Sequence, residues 1–142
     1  MEVKIDVHID TKKLAKQIEA LKDDRSMLWV HNEFKRMMDP YVPYATGTLA
    51  EKTVVTYPDK VVYTQPYARY QYMGELYVAP NGSAWAHKDE KKHGTGKPLN
   101  YNTEYHSLAS KEWDKAMMSA RGEEFLKNVK EKLMERCKEL YG

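Results

Sequence analysis

A chain of 142 residues is long enough for one domain with a single hydrophobic core, since a fold of this size buries about 68–70% of the surface its unfolded chain exposes. Its 23 basic and 21 acidic residues leave a formal charge of +2, which argues against the concentrated basic footprint of a protein that grips phosphates. The one cysteine, Cys137, excludes an intramolecular disulfide and a multi-thiolate zinc site.

In chain order, Val3, Ile5, Val7 and Ile9 alternate with Glu2, Lys4, Asp6 and His8, which predicts a half-buried first strand. The same alternation leaves no apolar run for a secretory signal, and no stretch of ~20 apolar residues could span a membrane, so a soluble, unexported protein is expected. Asp10 and Thr11 are candidate caps for a helix carrying Leu14, Ile18 and Leu21. A second helix is predicted from about Ser26 through Phe34 to Met38, stopped by Asp39-Pro40 because the residue before proline is pushed out of the helical region.

Beyond Tyr41, prolines 43, 58, 66 and 80 punctuate β-branched and aromatic runs. Thr53 to Tyr57 and Val61 to Thr64, joined through Pro58-Asp59-Lys60, predict a hairpin, and Leu76 to Ala79 a further short strand. Pro80 to Asn102, rich in glycine, histidine and lysine, is expected to be a long loop. The last third is again helical: Trp113, Ala116 and Met117 share one face, Gly122 is expected to break the helix, and Phe125, Val129, Leu133 and Leu140 share a face of the next. The eight basic and seven acidic residues between Lys111 and Glu139 then form a solvated face. These elements predict one α+β domain over residues 1–142: a small antiparallel sheet, made of the N-terminal strand and the central hairpin strands, packed against N-terminal and C-terminal helices.

The chemistry of sites yields little. Gly94-Thr95-Gly96-Lys97 has the flavour of a phosphate loop, but Lys91 stands where that motif needs its first glycine and Pro98 where it needs Ser or Thr. His87, His93 and His106 lack metal-ligand spacing, Cys137 sits on a charged helical stretch, and the carboxylates are scattered, so no catalytic, cofactor or metal residues are predicted. The 11 tyrosines against 2 phenylalanines suit strand positions and wet protein interfaces equally well.

The most specific segments are Tyr41-Val42-Pro43-Tyr44-Ala45-Thr46-Gly47-Thr48-Leu49 and Gln65-Pro66-Tyr67-Ala68-Arg69-Tyr70-Gln71-Tyr72-Met73-Gly74. Together they resemble minor capsid proteins of tailed phages of Gram-positive hosts and, more broadly, the neck or tail-completion family. Those proteins share a V-P-x-x-T-G-x-L segment and a P-Y-A-x-Y-x-x-x-G segment separated by strands. The resemblance continues through Leu99-Asn100-Tyr101, His106, Ala109 and Trp113, covering residues 35 to 142 in order. It singles out Pro43, Thr46, Gly47, Leu49, Pro66, Tyr67, Ala68, Tyr70, Gly74 and Trp113 as motif and interface residues. Gly47 suits a tight turn at positive φ initiated by Thr46, with Leu49 on the core side. Tyr67 and Tyr70 fall on one face if residues 67–72 form a helical turn and on opposite faces in a strand.

The resemblance implies a structural virion protein without cofactor, made in the host bacterial cytoplasm. It would sit at the head–tail connector, join the DNA-filled head to the tail, and form a cyclic homo-oligomer. Its partners would be a head-side connector or portal ring and a tail-side terminator, with no membrane and no sequence-specific nucleic acid binding. The 80–102 loop is then a candidate axial contact that orders on assembly. Two other classes stay open: a small ribonuclease-type toxin using His87 or His93 with Lys97 and tyrosines, and a free-standing adaptor.

Overall fold

The computed structural model of the protein describes residues 1–4, 23–44, 47–83, 85 and 87–141. The predicted helix with Leu14, Ile18 and Leu21, its caps Asp10 and Thr11, and the strand positions Ile5, Val7 and Ile9 lie outside the described residues.

Strand β1 (Glu2–Val3) pairs antiparallel with β3 (Lys60–Tyr63), which pairs antiparallel with β2 (Val54–Tyr57), giving a three-stranded sheet of order β1-β3-β2. The hairpin turn is Pro58-Asp59, closed by the Tyr57–Lys60 pair. Alternation does its work here: Val3, Val61 and Tyr63 point into the core, whereas Val55 and Tyr57 face outward. Met1 extends the pairing, its carbonyl accepting the Tyr63 N–H at 2.9 Å.

Helix α1 (Asp24–Met38) starts at Asp23, whose Oδ1 accepts the Ser26 N–H at 2.8 Å, an N-cap of the ordinary kind. Val30, His31, Phe34, Met37 and Met38 form its buried stripe. Its stop differs in detail from the prediction. Asp39, although it precedes Pro40, keeps helical angles (φ −49°, ψ −45°), and its N–H still bonds to the Lys35 carbonyl. The chain instead tightens into a 3₁₀ turn, Asp39–Tyr41, in which a proline near the start needs no N–H, and leaves helical geometry at Val42.

A short helix, α2 (Ala68–Met73), ends at Gly74 in the left-handed conformation (φ 73°), whose N–H bonds to the Tyr70 carbonyl at 3.0 Å. Strand β4 (Glu75–Val78) follows and pairs antiparallel with β5 (His93–Pro98) in a separate two-stranded ribbon. The stretch expected as a loop over 80–102 therefore holds a strand. His93-Gly94-Thr95-Gly96-Lys97-Pro98 has no strand propensity of its own, and its partner confers the conformation: Thr95 Oγ1 donates to the Leu76 carbonyl at 2.8 Å, and Glu75 Oε1 accepts the Gly96 N–H at 2.7 Å. A Cβ on Gly94 would lie 2.6 Å from Glu75 Oε1, so glycine lets that carboxylate reach across.

Helix α3 (Trp113–Tyr141) is kinked at Arg121 (φ −134°, ψ 18°), one residue ahead of the glycine expected to break it. Met117, Phe125, Val129 and Leu133 line its buried side. It packs along α1, with the Phe34 and Phe125 ring centroids 5.5 Å apart and Asn128 Nδ2 donating to Glu33 Oε1 at 3.3 Å. At its start Trp113 is fully buried between Tyr63 at 5.2 Å and Tyr72 at 5.0 Å, both edge-on. The architecture is α+β, small antiparallel sheets together with N-terminal and C-terminal helices that pack on each other.

Candidate functional site

The first motif segment leaves α1 and folds over the core. Tyr41 and Val42 are buried, as are Leu49 and Ala50 beyond the turn. Gly47 takes φ 79°, and its carbonyl accepts both the Glu51 N–H (2.9 Å) and the Lys52 N–H (3.1 Å), which winds Thr48–Lys52 into a π-type turn. A Cβ at Gly47 would meet the Tyr44 hydroxyl at 2.8 Å. Thr46, the expected initiator of this turn, lies outside the described residues.

The second segment divides by depth. Pro66 and Tyr67 are exposed on the turn into α2, Ala68 is buried beneath them, and Tyr70 stacks on Tyr77 of β4 (4.8 Å) with Lys92 Nζ 5.6 Å from its ring. Gly74 lies under the next segment, where a Cβ would meet Lys111 Cβ at 2.7 Å and the Tyr101 hydroxyl at 3.1 Å.

Residues 99–113 join the two motifs as a strap. The Leu99 N–H bonds to the Gly74 carbonyl (2.9 Å), the Tyr101 hydroxyl donates to the Gln71 carbonyl (2.6 Å), and the Glu112 N–H bonds to the Tyr72 carbonyl (2.9 Å). On the other side the Ser110 N–H bonds to the Tyr41 carbonyl (3.0 Å), and His106 Nδ1 lies 2.7 Å from the Val42 carbonyl. The His106 ring stacks on Tyr44 (4.8 Å), and its Nε2 faces Asp39 Oδ2 at 3.7 Å. Burial pushes the Asp39 carboxyl above its ordinary value, against the pull of His106 and Lys35. The Tyr72 hydroxyl donates to Asp114 Oδ1 at 2.7 Å, and burial, aided by that carboxylate, pushes its own ionisation up, so it stays a donor. Trp113 closes the strap into the core.

These groups tie one backbone segment to another. His87 is almost fully exposed, His93 and Lys97 lie exposed on β5, and none of the three lines the cleft between α1 and α3. Among the described residues no three His, Cys, Asp or Glu side chains are grouped to hold a metal, and no helix is long and apolar enough to cross a membrane. Sequence reasoning missed that cleft, because Trp29, Lys132 and Arg136 come from distant helices with nothing local to link them. It also missed the Tyr72–Asp114 bond.

A family model described as minor capsid protein matches residues 5–134, nearly the whole chain and both motif segments with the strap between them. The chain belongs to the minor capsid protein family. No curated protein and no solved structure matches it. As a minor capsid protein it has a structural role in the phage particle, which places it in the virion. In this minor capsid protein the strap ties α2 and the root of the β4–β5 ribbon to the core.

Proposed function

We propose that this minor capsid protein is a non-enzymatic component of the phage neck, a head–tail connector or tail-completion subunit that joins the DNA-filled head to the tail. It acts as a cyclic homo-oligomer between a head-side connector or portal ring and a tail-side terminator. The observation that carries the reading is the strap. The ordered motif set that resembles neck proteins is bound into one rigid unit by the 99–113 segment, with Leu49, Ala68 and Trp113 buried while Pro66 and Tyr67 stay at the surface. Such a unit offers lateral surfaces to its own copies and axial surfaces to other rings. It works by contact, and Tyr67 and Pro66 belong to a contact surface.

Phage carrying a stop codon in this gene test the reading. Lysates should contain DNA-filled heads and separate tails that do not join, and supplying the protein from a plasmid should restore infectivity. Infectious particles at wild-type yield, or a block at head formation before DNA packaging, would overturn it.

A further inference from the structure

We propose that the β4–β5 ribbon of one copy docks, Trp85 first, into the cleft between α1 and α3 of a neighbouring copy. This rests on the reading above of the chain as a cyclic assembly subunit, and it names the two surfaces that meet. The segment between β4 and β5 then serves as a lateral contact rather than the axial one its sequence suggested.

The cleft is about 380 Å³, at the lower end of the range for ligand-sized pockets. Leu28 and Trp29 of α1 and Leu133 of α3 supply its apolar walls, and Lys132 Nζ stands 5.7 Å from the Trp29 ring. Arg136 crosses it with only 20% of its side chain exposed, one end reaching Asp23 Oδ2 at 3.5 Å. Its Nε is buried and has no hydrogen-bond partner among the described residues. A buried guanidinium N–H without an acceptor costs stability, so the cleft suits a guest that brings one. The rim carries both signs, Arg25 on one side and Glu135 and Glu139 on the other.

The ribbon supplies a matching guest. Trp85, in the segment joining β4 to β5, is 86% exposed, whereas Trp113 is fully buried and Trp29 partly so. A bare indole is the side chain best suited to anchor an interface. Asp89, exposed four residues further along the chain, brings carboxylate acceptors for Arg136 and Arg25, and the exposed Lys88 and Lys91 oppose Glu135 and Glu139.

Position makes the contact intermolecular. The ribbon springs from Gly74, which lies under Lys111 at the start of α3, while the cleft is lined by residues 132–139 near its end. Trp85, 86% exposed, does not line that cleft in its own chain. Different surfaces therefore meet, a heterologous contact that repeats head to tail and closes into a ring when the rotation allows.

Sedimentation velocity on the purified full chain, from about 10 to 500 µM, tests this with two variants. Trp85→Ala removes the guest, and Asn32→Arg crowds the cleft from an exposed lining position. Thermal midpoints matching wild type establish that both fold. The wild type should form species beyond a dimer as concentration rises, and each variant alone should associate at least about tenfold more weakly. An equimolar mixture of the two should form a dimer and stop there, because one intact guest–cleft pair remains. A wild type that stays monomeric throughout, variants that associate like wild type, or a mixture that grows beyond dimers would overturn the proposal. Those results, with heads and tails still failing to join in the stop-codon phage, would remove the docking and leave the neck reading intact.

Discussion

A side chain at Gly47 would need a backbone angle that L-residues avoid and space that the Tyr44 hydroxyl already fills. Gly47→Val should therefore destabilise the protein by on the order of 1 kcal/mol or more, read as a lower melting midpoint, and an unchanged midpoint would show that the turn relaxes freely. Asp39 has a different consequence. Burial raises its folded pKa, so the folded state holds this proton more tightly than the unfolded chain does. Asp39's own contribution to stability is then fully present below the ordinary aspartate value of 3.8 and is lost as pH rises through the raised folded value. Asp39→Asn should flatten that decline in urea unfolding measured across acidic pH; an unaltered slope would assign it to other groups. Neither residue's role is local. The Thr46-Gly47 pair announces a turn, but the Tyr44 ring above it and the strap that buries Asp39 come from the fold.

The elements most legible in the sequence are those whose own residues decide them. The hairpin of β2 and β3 follows from β-branched runs around Pro58-Asp59, and α1 from its cap and apolar stripe. β5 was not legible, because two glycines and a proline in six residues signal a loop and only β4 makes them a strand. α1 ends at Met38 as its sequence indicates, but by another route: the bias against helical angles before proline is weak at Asp39 beside a 3₁₀ turn whose tertiary contacts bury Tyr41. For α1 itself, the Ser26 N–H holds the Asp23 carboxylate below its usual range, with Arg136 adding a smaller pull. That stabilisation is present above pH 3.8 and is lost as pH falls through the lowered folded value. Asp23→Asn, which keeps a capping oxygen, should flatten this acid loss, whereas Asp23→Ala should lower the melting midpoint at neutral pH as well. Equal midpoints for Ala and wild type at pH 7 would mean that the cap contributes nothing.

Across the whole molecule, stability depends on the α1–α3 seam more than on the sheets, which contribute few strands and leave Val55 and Tyr57 outside. Phe125→Ala, deleting a fully buried ring packed on Phe34, should cost about 3–5 kcal/mol, measurable as a shift in the urea midpoint with an unchanged slope. A cost below about 1 kcal/mol would mean that the seam repacks. Amphipathic spacing marked both helices as core-facing, but which helix meets which was hidden, since periodicity names a face and not its partner.

That seam also bears on how the chain comes off the ribosome. Glu33 and Asn128, bonded across it, are 95 residues apart, so the apolar stripe of α1 is synthesised long before the helix that covers it. At roughly 5–20 residues per second, Phe34, Met37 and Met38 wait for several seconds with no α3 to bury them. Contacts this remote in sequence form late and slowly, and a stalled or truncated chain carries a sticky helix into a crowded cell. A nascent chain arrested before Phe125 should be cut by protease throughout and should bind holdase chaperones, and full-length release should end both together.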